Sequence, residues 1–99
     1  MTKERFREII VNSQCSYKFL GAEEGHWIGV DDNGKERDYF ISEMPKDYKE
    51  NCMRYLEKHE ENIKSGIFLQ GAVYNRADRK ELIRLGCDAM QQKIRELSI

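Results

Sequence analysis

The chain has 99 residues with 17 basic and 18 acidic side chains, giving a formal net charge of −1. The length predicts a single domain over residues 1–99, and the balanced charge excludes a global field that attracts nucleic acid or an anionic membrane. Charged residues make up 35% of the chain, against about 25% in typical globular domains. We therefore expect one small core beneath a highly charged surface.

The negative charge is concentrated in one segment. Residues 1–20 carry four basic and two acidic groups, and residues 45–99 carry eleven basic and nine acidic groups. Residues 21–44 carry two basic and seven acidic groups, a local charge of −5. This segment is therefore the acidic pole of an otherwise slightly basic molecule.

Three cysteines, Cys15, Cys52 and Cys87, are widely spaced and include no CxxC pair. An odd count with such spacing predicts neither a disulfide framework nor a zinc knuckle, and it favours a reducing, cytoplasmic compartment. The N-terminus lacks the apolar run of a secretory signal. No stretch approaches the ~18–20 apolar residues that span a bilayer, so we expect no membrane contact.

The first elements of the chain are short. Residues 3–12 predict a helix capped by Thr2, with apolar residues from Phe6 onward spaced three and four apart on one face. The β-branched residues near its end also suit a strand. Residues 15–20 then alternate in the way that predicts a first strand.

A hairpin is the clearest prediction from the sequence. His26–Val30 and Arg37–Ile41 have strand patterns, and Asn33-Gly34 between them predicts a tight turn because both residues tolerate positive φ. Trp27 and Tyr39 then lie nearly opposite each other and share a face of the sheet. The pattern leaves open which face this is.

The next element is a long helix. It is predicted to open with Pro45 at its first helical position and to end at Ser65-Gly66. Its apolar stripe consists of Met44, Tyr48, Cys52, Tyr55, Leu56, His59 and Ile63. The following residues, 67–74, suit either a further strand or a buried loop.

The last helix is predicted over Arg76–Leu97. Its stripe consists of Ile83, Cys87, Met90, Ile94 and Leu97, widened by Leu82 and Ala89. Gly86 lies inside this helix and weakens it by about 1 kcal/mol relative to alanine. We therefore expect another part of the chain to pack closely against Gly86.

Together these elements predict an α+β fold. A short antiparallel sheet, made of the hairpin 26–41 plus one or two further strands, is expected to pack against the two C-terminal helices, whose stripes need an apolar partner. The small apolar content also predicts association, with a homodimer through the C-terminal helices as one form.

The hairpin and the helix after it resemble a pattern found in small uncharacterised proteins of bacteriophages and prophages. The resemblance covers residues 27–57, about a third of the chain, and the matching residues are Trp27, Asn33-Gly34, Ile41, Met44, Asn51, Met53, Arg54, Leu56 and Glu57. The chain departs from the pattern at Tyr48 and Lys49, where His and Leu are usual. The resemblance implies a mobile-element origin and no particular activity; by analogy, small proteins of such elements often inhibit host machinery by binding.

No metal site or catalytic pair is predicted. If Gly34 were the sixth residue of a calcium loop, Gly29 and Phe40 would take ligand positions that need carboxylates. His26 and His59 have no partners at metal-ligand spacing. Cys52 and His59 lie seven residues apart on one helix, about 10.5 Å along its axis, whereas proton transfer needs ~2.6–3.2 Å. We therefore expect a protein without cofactor that is not an enzyme.

Two charged groups of residues are candidate binding sites. The first is the acidic hairpin, whose candidate partner-binding residues are Trp27, Asp31, Asp32, Glu36, Asp38 and Tyr39. Such a set can pair with a basic groove of a target, or it can be a soluble turn whose charges discourage aggregation. The second is a basic cluster at the start of the last helix, Arg76, Arg79, Lys80 and Arg84, which either contacts an anion or is an ordinary solvated face.

The first functional hypothesis is a small phage or mobile-element binding protein. It would act in the host cytoplasm as a stoichiometric inhibitor of a host protein or protein–nucleic-acid complex, either a defence complex (an anti-CRISPR-like role) or a regulatory one, through the acidic hairpin. The alternatives are a small-ligand or nucleotide-binding sponge and a nucleic-acid-binding regulator, both using the basic cluster.

Overall fold

A computed structural model describes residues 1–12, 17–69 and 75–99. The elements in chain order are the helix α1 (Lys3–Asn12), the strands β1 (His26–Val30) and β2 (Glu36–Phe40), and the helices α2 (Lys46–Ser65) and α3 (Arg76–Leu97). Short 3₁₀ turns at Lys18–Gly21, Ile41–Glu43 and Ile67–Leu69 join them. The predicted α+β fold, with a hairpin and two long C-terminal helices, is confirmed.

The hairpin has a three-residue loop in place of the expected two-residue turn. The N–H of Asp31 donates to the carbonyl of Lys35 at 2.9 Å, and Gly34 takes the left-handed conformation at φ 78°. A type I turn followed by a left-handed glycine is a standard three-residue hairpin loop. The strands are antiparallel, and Trp27 lies directly opposite Tyr39, so these two residues share a face as predicted.

The strand expected over residues 15–20 is not formed in its described part. Lys18–Gly21 is a 3₁₀ turn in which Phe19 and Leu20 are both buried. A strand sends neighbouring side chains to opposite faces, so burial of two consecutive residues favours the turn. Ile67–Leu69 is likewise a 3₁₀ turn, while residues 13–16 and 70–74 lie outside the described ranges. Within those ranges the sheet has two strands.

Local sequence signals set the helix ends. The hydroxyl of Thr2 accepts from the N–H of Arg5 at 3.1 Å at the start of α1, which is a helix throughout its β-branched run. Pro45 immediately precedes α2 instead of occupying its first turn, and Gly66 ends α2 at φ 82°. Asn75 caps α3 by accepting from the N–H of Asp78 at 2.8 Å. These caps satisfy backbone groups that a helix end leaves unpaired.

The core lies between α1, α2, α3 and the 3₁₀ turns. Its fully buried members include Ile10, Leu20, Leu56, Ile63, Phe68, Leu82 and Met90. In α2 the predicted stripe supplies Cys52, Leu56 and Ile63. In α3 the buried face is turned by about one residue from the predicted one: it contains Leu82, Leu85, Gly86, Met90, Lys93 and Leu97.

Gly86 gives Phe68 the space that its ring needs. Phe68 has no exposed surface, and a Cβ added at Gly86 would lie 2.7 Å from Cζ of that ring. The close packing predicted at this glycine is thus provided by the segment that joins α2 to α3. The contact packs this connecting segment directly against α3.

We predict that Gly86→Ala destabilises the protein by about 1–3 kcal/mol, the usual cost of overpacking a core. Helix propensity alone would stabilise the variant by about 1 kcal/mol. A loss of stability would therefore identify the steric contact with Phe68. Urea denaturation monitored by circular dichroism measures the change. In a Phe68→Leu background the same substitution should be neutral or stabilising; an equal loss in both backgrounds would contradict the explanation.

Candidate functional site

The carboxylate of Asp31 is used within the hairpin loop. Its Oδ1 accepts from the N–H groups of Asn33 and Lys35 at 2.9 and 3.0 Å, and its Oδ2 accepts from Nε of Arg37 at 2.5 Å. The Arg37 guanidinium, followed by these backbone donors, lowers the pKa of the Asp31 carboxyl. Asp31 therefore organises the loop, and only 14% of its side chain is exposed.

Two other hairpin acids also have internal partners. Glu36 pairs with Lys18 at 2.7 Å, and Asp38 pairs with Nδ1 of His26 at 2.8 Å. Asp32 is exposed at the loop and has no ion-pair partner among the described residues. Both paired side chains are still more than half exposed, 54% for Glu36 and 56% for Asp38. The negative charge of the acidic pole is therefore weaker than the number of acidic residues suggests.

Trp27 and Tyr39, the two aromatic residues predicted to contact a partner, face inward. Trp27 is 4% exposed and stacks on Phe19 with the ring centroids 4.6 Å apart. Tyr39 packs against Tyr48 of α2 at 5.6 Å. Trp27 is therefore a core residue and is not available as an interface anchor. The exposed aromatic of the hairpin is Phe40, which is 54% exposed.

One edge of β2 is unpaired. The bonds from Asp31 to Lys35 and from Ile41 to Gly25 lie at the two ends of the hairpin ladder. Because antiparallel strands alternate bonded and non-bonded pairs, the backbone groups of Glu36, Asp38 and Phe40 point away from β1. Within the described residues, no strand pairs with this edge.

A shallow concave surface of about 470 Å³ lies beside this edge, and we name it the acidic groove. It is lined by Asp38, Tyr39, Phe40, Glu43, Met44, Pro45, Asp47 and Tyr48. The lining has three carboxylates, no cation and no residue of β1. The groove therefore combines negative charge, apolar side chains and free backbone groups at one place on the surface.

A second concave surface, of about 450 Å³, lies between β1, the first 3₁₀ turn and α2. Aromatic rings of Phe19, Trp27, Tyr48 and Tyr55 line it together with Cys52. Burial raises the pKa of Tyr48 to about 12 and that of Cys52 to about 11. Both groups are neutral at pH 7, so this surface offers no thiolate or phenolate nucleophile.

The basic cluster predicted on α3 does not converge on one ligand. Arg84 pairs with Glu81 at 2.6 Å and with Asp88 at 3.3 Å, and Arg79 donates to the carbonyl of Gly66 at 3.5 Å. The remaining members, Arg76 and Lys80, are exposed to solvent. Half of the proposed anion-binding set is therefore occupied by internal contacts.

The structure brings together a buried ion pair that the sequence analysis missed. Lys93 is 2% exposed; its Nζ donates to the carbonyl of Glu23 at 2.8 Å and to Oε1 of Glu96 at 2.9 Å. Oε2 of Glu96 accepts from the N–H of Gly25 at 2.8 Å. The available signal was spacing, because Lys93 lies three residues after Met90 and four before Leu97 on the buried face of α3.

The protonation of this pair follows from burial and hydrogen bonding. Burial lowers the pKa of Lys93, and its partner Glu96 only partly offsets the effect. Burial also raises the pKa of Glu96, but hydrogen bonds from Lys93, Gly25 and Gln92 outweigh it and hold that pKa below its usual value.

His59 also has a partner that the sequence did not predict. Its Nδ1 lies 2.9 Å from the hydroxyl of Tyr17, which in turn accepts from Nδ2 of Asn62 at 3.0 Å. This contact ties the segment before the first 3₁₀ turn to α2. It leaves His59 paired with a phenol and separate from Cys52.

Several expectations concern features that the described residues lack. Among residues 1–12, 17–69 and 75–99, no three His, Cys, Asp or Glu side chains form a group that could hold a metal. In the same ranges no helix is long and apolar enough to cross a membrane. The apolar stripes of α2 and α3, which suggested a homodimer, are largely used inside one chain.

Comparisons with protein-family models, with curated proteins and with solved structures give no match to this chain. Its candidate sites are therefore assigned from their own geometry and charge.

We predict different effects of charge reversal at the two neighbouring aspartates of the loop. Asp31→Lys removes the acceptor of three hydrogen bonds and should lower the melting temperature, whereas Asp32→Lys should leave it unchanged. Thermal unfolding and the amide spectrum of residues 33–37 measure the effect. Equal melting temperatures for both variants would contradict the structural role of Asp31.

We predict that Glu96→Gln lowers the free energy of unfolding by about 3 kcal/mol at pH 7, because it leaves a buried ammonium without its counter-charge. The exposed pair Glu60–Lys64 is the matched control, and Glu60→Gln should cost less than about 1 kcal/mol. Urea denaturation of both variants measures the difference. Equal losses would place the Lys93–Glu96 pair among ordinary surface contacts.

The same carboxylate should contribute to acid sensitivity. Its folded-state pKa lies below the unfolded value near 4.5, so its stabilisation is present above that pH and is lost as the pH falls through the folded-state pKa. The acid decline in stability should therefore be shallower in Glu96→Gln than in the wild type.

Proposed function

We propose that this protein is a non-catalytic binding protein that takes up an extended, basic segment of a partner protein along the free edge of β2. The observation that carries the proposal is the acidic groove beside that edge. The neutral state of Tyr48 and Cys52 in the neighbouring aromatic surface supports binding over covalent catalysis.

The backbone of β2 supports the mode of binding. An edge strand with free N–H and C=O groups is a template for an added strand, and many peptide-binding domains use such an edge. Glu36, Asp38 and Phe40 direct their backbone groups to this side. A partner strand would gain main-chain hydrogen bonds at these three residues.

Charge and shape support the chemistry of the partner. The groove contains the carboxylates of Asp38, Glu43 and Asp47 and no cation, so lysine or arginine side chains complement it and like charges are rejected. Phe40 and Met44 supply an apolar contact between the charges. Aromatic contacts of this kind often carry a large part of interface energy.

The resemblance to phage and prophage proteins supports the class of partner. We propose a host protein or protein–nucleic-acid complex of a defence system, as for anti-CRISPR proteins, or of a regulatory system, bound stoichiometrically in the cytoplasm. Complexes that handle nucleic acid have basic surfaces. An acidic groove of this kind would compete for such a surface.

The test uses a defined probe: a synthetic peptide that alternates lysine with valine, titrated against the protein labelled with ¹⁵N. We expect slower hydrogen exchange at the amides of Glu36, Asp38 and Phe40, because these donors become bonded to the peptide. The same peptide N-methylated at alternate residues cannot extend the sheet and should not bind.

Charge-reversal variants locate the surface. Glu43→Lys/Asp47→Lys should weaken binding about tenfold or more, a change of about 1.4 kcal/mol. Glu50→Lys/Glu57→Lys has the same change in net charge on exposed residues outside the groove and should bind nearly as the wild type does. Equal loss in both variants, or binding of the N-methylated peptide, would contradict the proposal. The variant pair then serves to test host proteins recovered from bacterial lysate.

A further inference from the structure

A third concave surface, of about 380 Å³, lies between α1 and α3. It is lined by Lys3, Phe6, Arg7, Leu20, Ala22, Glu24, Leu85, Asp88, Ala89, Gln91, Gln92, Lys93 and Arg95. It shares no lining residue with the acidic groove. Its size lies within the range of small-ligand sites, about 300–1,000 Å³. We name it the basic pocket.

The basic pocket is lined by four cations and two carboxylates. Lys3, Arg7 and Arg95 form no ion pair with any described residue, and Arg95 donates only to the amide oxygen of Gln92 at 2.7 Å. Of the two carboxylates in the lining, Asp88 is paired with Arg84 at 3.3 Å, and Glu24 is exposed to solvent. The pocket therefore has an excess of positive charge.

The ammonium of Lys93 lies buried in the lining of the same pocket. Arg7 lies close enough for its charge to lower the pKa of Lys93, after the larger effect of burial. Glu96 provides one counter-charge at 2.9 Å, and the negative charge of Asp38 has a smaller effect of the same sign on the pKa of Lys93. Two like charges on facing helices are an unfavourable arrangement that a bound anion would relieve.

The rest of the pocket is suited to an organic group. Phe6, Leu20 and Leu85 provide the apolar part of the lining, and all three belong to the core. Gln91 provides an amide donor and acceptor in the same lining. An anion bound here has both apolar and polar neighbours besides the cations.

We propose that the basic pocket binds a small organic phosphate, with the phosphate on Arg7, Arg95 and Lys3 and the organic group against Phe6, Leu20 and Leu85. Two guanidinium groups favour ligands that accept paired hydrogen bonds, which phosphates and carboxylates both do. Three unpaired cations match the double charge of a phosphate monoester better than the single charge of a carboxylate. This site is distinct from the predicted cluster on α3, in which Arg84 is paired with Glu81 and Asp88.

The binding test is calorimetric titration of the full chain with adenosine 5′-monophosphate, inorganic phosphate and succinate. Saturable binding of the nucleotide, tighter than either small anion, is the expected result. Equal affinity for all three would overturn the assignment of an organic group, and absence of heat and of chemical-shift change with every probe at millimolar concentration would overturn the site.

Paired variants identify the residues. Arg7→Gln/Arg95→Gln should weaken nucleotide binding about tenfold or more, which corresponds to about 1.4 kcal/mol. Arg76→Gln/Lys80→Gln removes the same charge from the exposed start of α3 and should bind as the wild type does. If the second variant lost affinity equally, the nucleotide would be responding to overall charge and the proposal would fail.

A stability readout separates binding from misfolding. Without ligand, Arg7→Gln removes a cation that faces Lys93, so its melting temperature should equal or exceed that of the wild type. With nucleotide, the wild type should gain more than Arg7→Gln does, because ligand that binds the native state stabilises it by mass action in proportion to its affinity. A lower melting temperature for free Arg7→Gln would show that Arg7 supports the fold and would contradict its assignment to a ligand.

Discussion

The ion pair of Lys93 and Glu96 on α3 also binds the backbone of the loop before β1, which lies about seventy residues earlier in the sequence. Lys93 donates to the carbonyl of Glu23 and Glu96 accepts from the N–H of Gly25, so α3 holds both ends of the loop that leads into β1. That loop sets where the hairpin leaves the helical core. The burial of Trp27 against Phe19 then follows, because β1 starts at the neighbouring residue His26. The direction of the hairpin is thus set by a polar contact, while its apolar contacts hold it there.

A buried ion pair is a costly way to hold a loop, since removing two charges from water opposes folding. Here the cost is reduced because each charge has more than one partner: the ammonium has a carboxylate and a carbonyl, and the carboxylate has donors from Lys93, Gly25 and Gln92. Among the described residues no buried side-chain nitrogen or oxygen lacks a partner. Hydrogen bonds between these specific partners select one arrangement of α3 against the loop, whereas apolar packing alone does not.

The sequence predicted the features that depend on residues close together in the chain. Thr2, Gly34 and Gly66 set helix ends and the loop through their own hydrogen bonds or backbone conformation, and the helical period predicted both long helices. Features set by distant partners were missed or left open. The buried face of α3 includes Lys93, whose ammonium donates to the carbonyl of Glu23, seventy residues away in sequence. The burial of Trp27 depends on Phe19, in a segment that the pattern assigned to a strand.

The candidate sites follow the same division. Counting charges located an acidic segment, but it could not tell that Asp31 is committed to its own loop or that Glu43 and Asp47 join Asp38 in one groove. Likewise, the run of basic residues from Arg76 to Arg84 is conspicuous in sequence, yet Arg7 and Arg95, which lie at opposite ends of the chain, share a pocket. Ion pairs between neighbours on a helix reduce the charge of a conspicuous cluster. Convergence from separate elements concentrates charge that the sequence leaves scattered.

A net charge of −1 therefore says little about what this surface attracts. The molecule measures 40 × 27 × 23 Å, while the electrostatic screening length at physiological ionic strength is about 8 Å. A ligand approaching the acidic groove responds mainly to Asp38, Glu43 and Asp47, and one approaching the basic pocket responds to Lys3, Arg7 and Arg95. The balance of the whole chain excludes a long-range field, but it is compatible with two local fields of opposite sign. The two proposed sites therefore differ in the sign of their local charge, a difference that the net charge of the whole chain does not reveal.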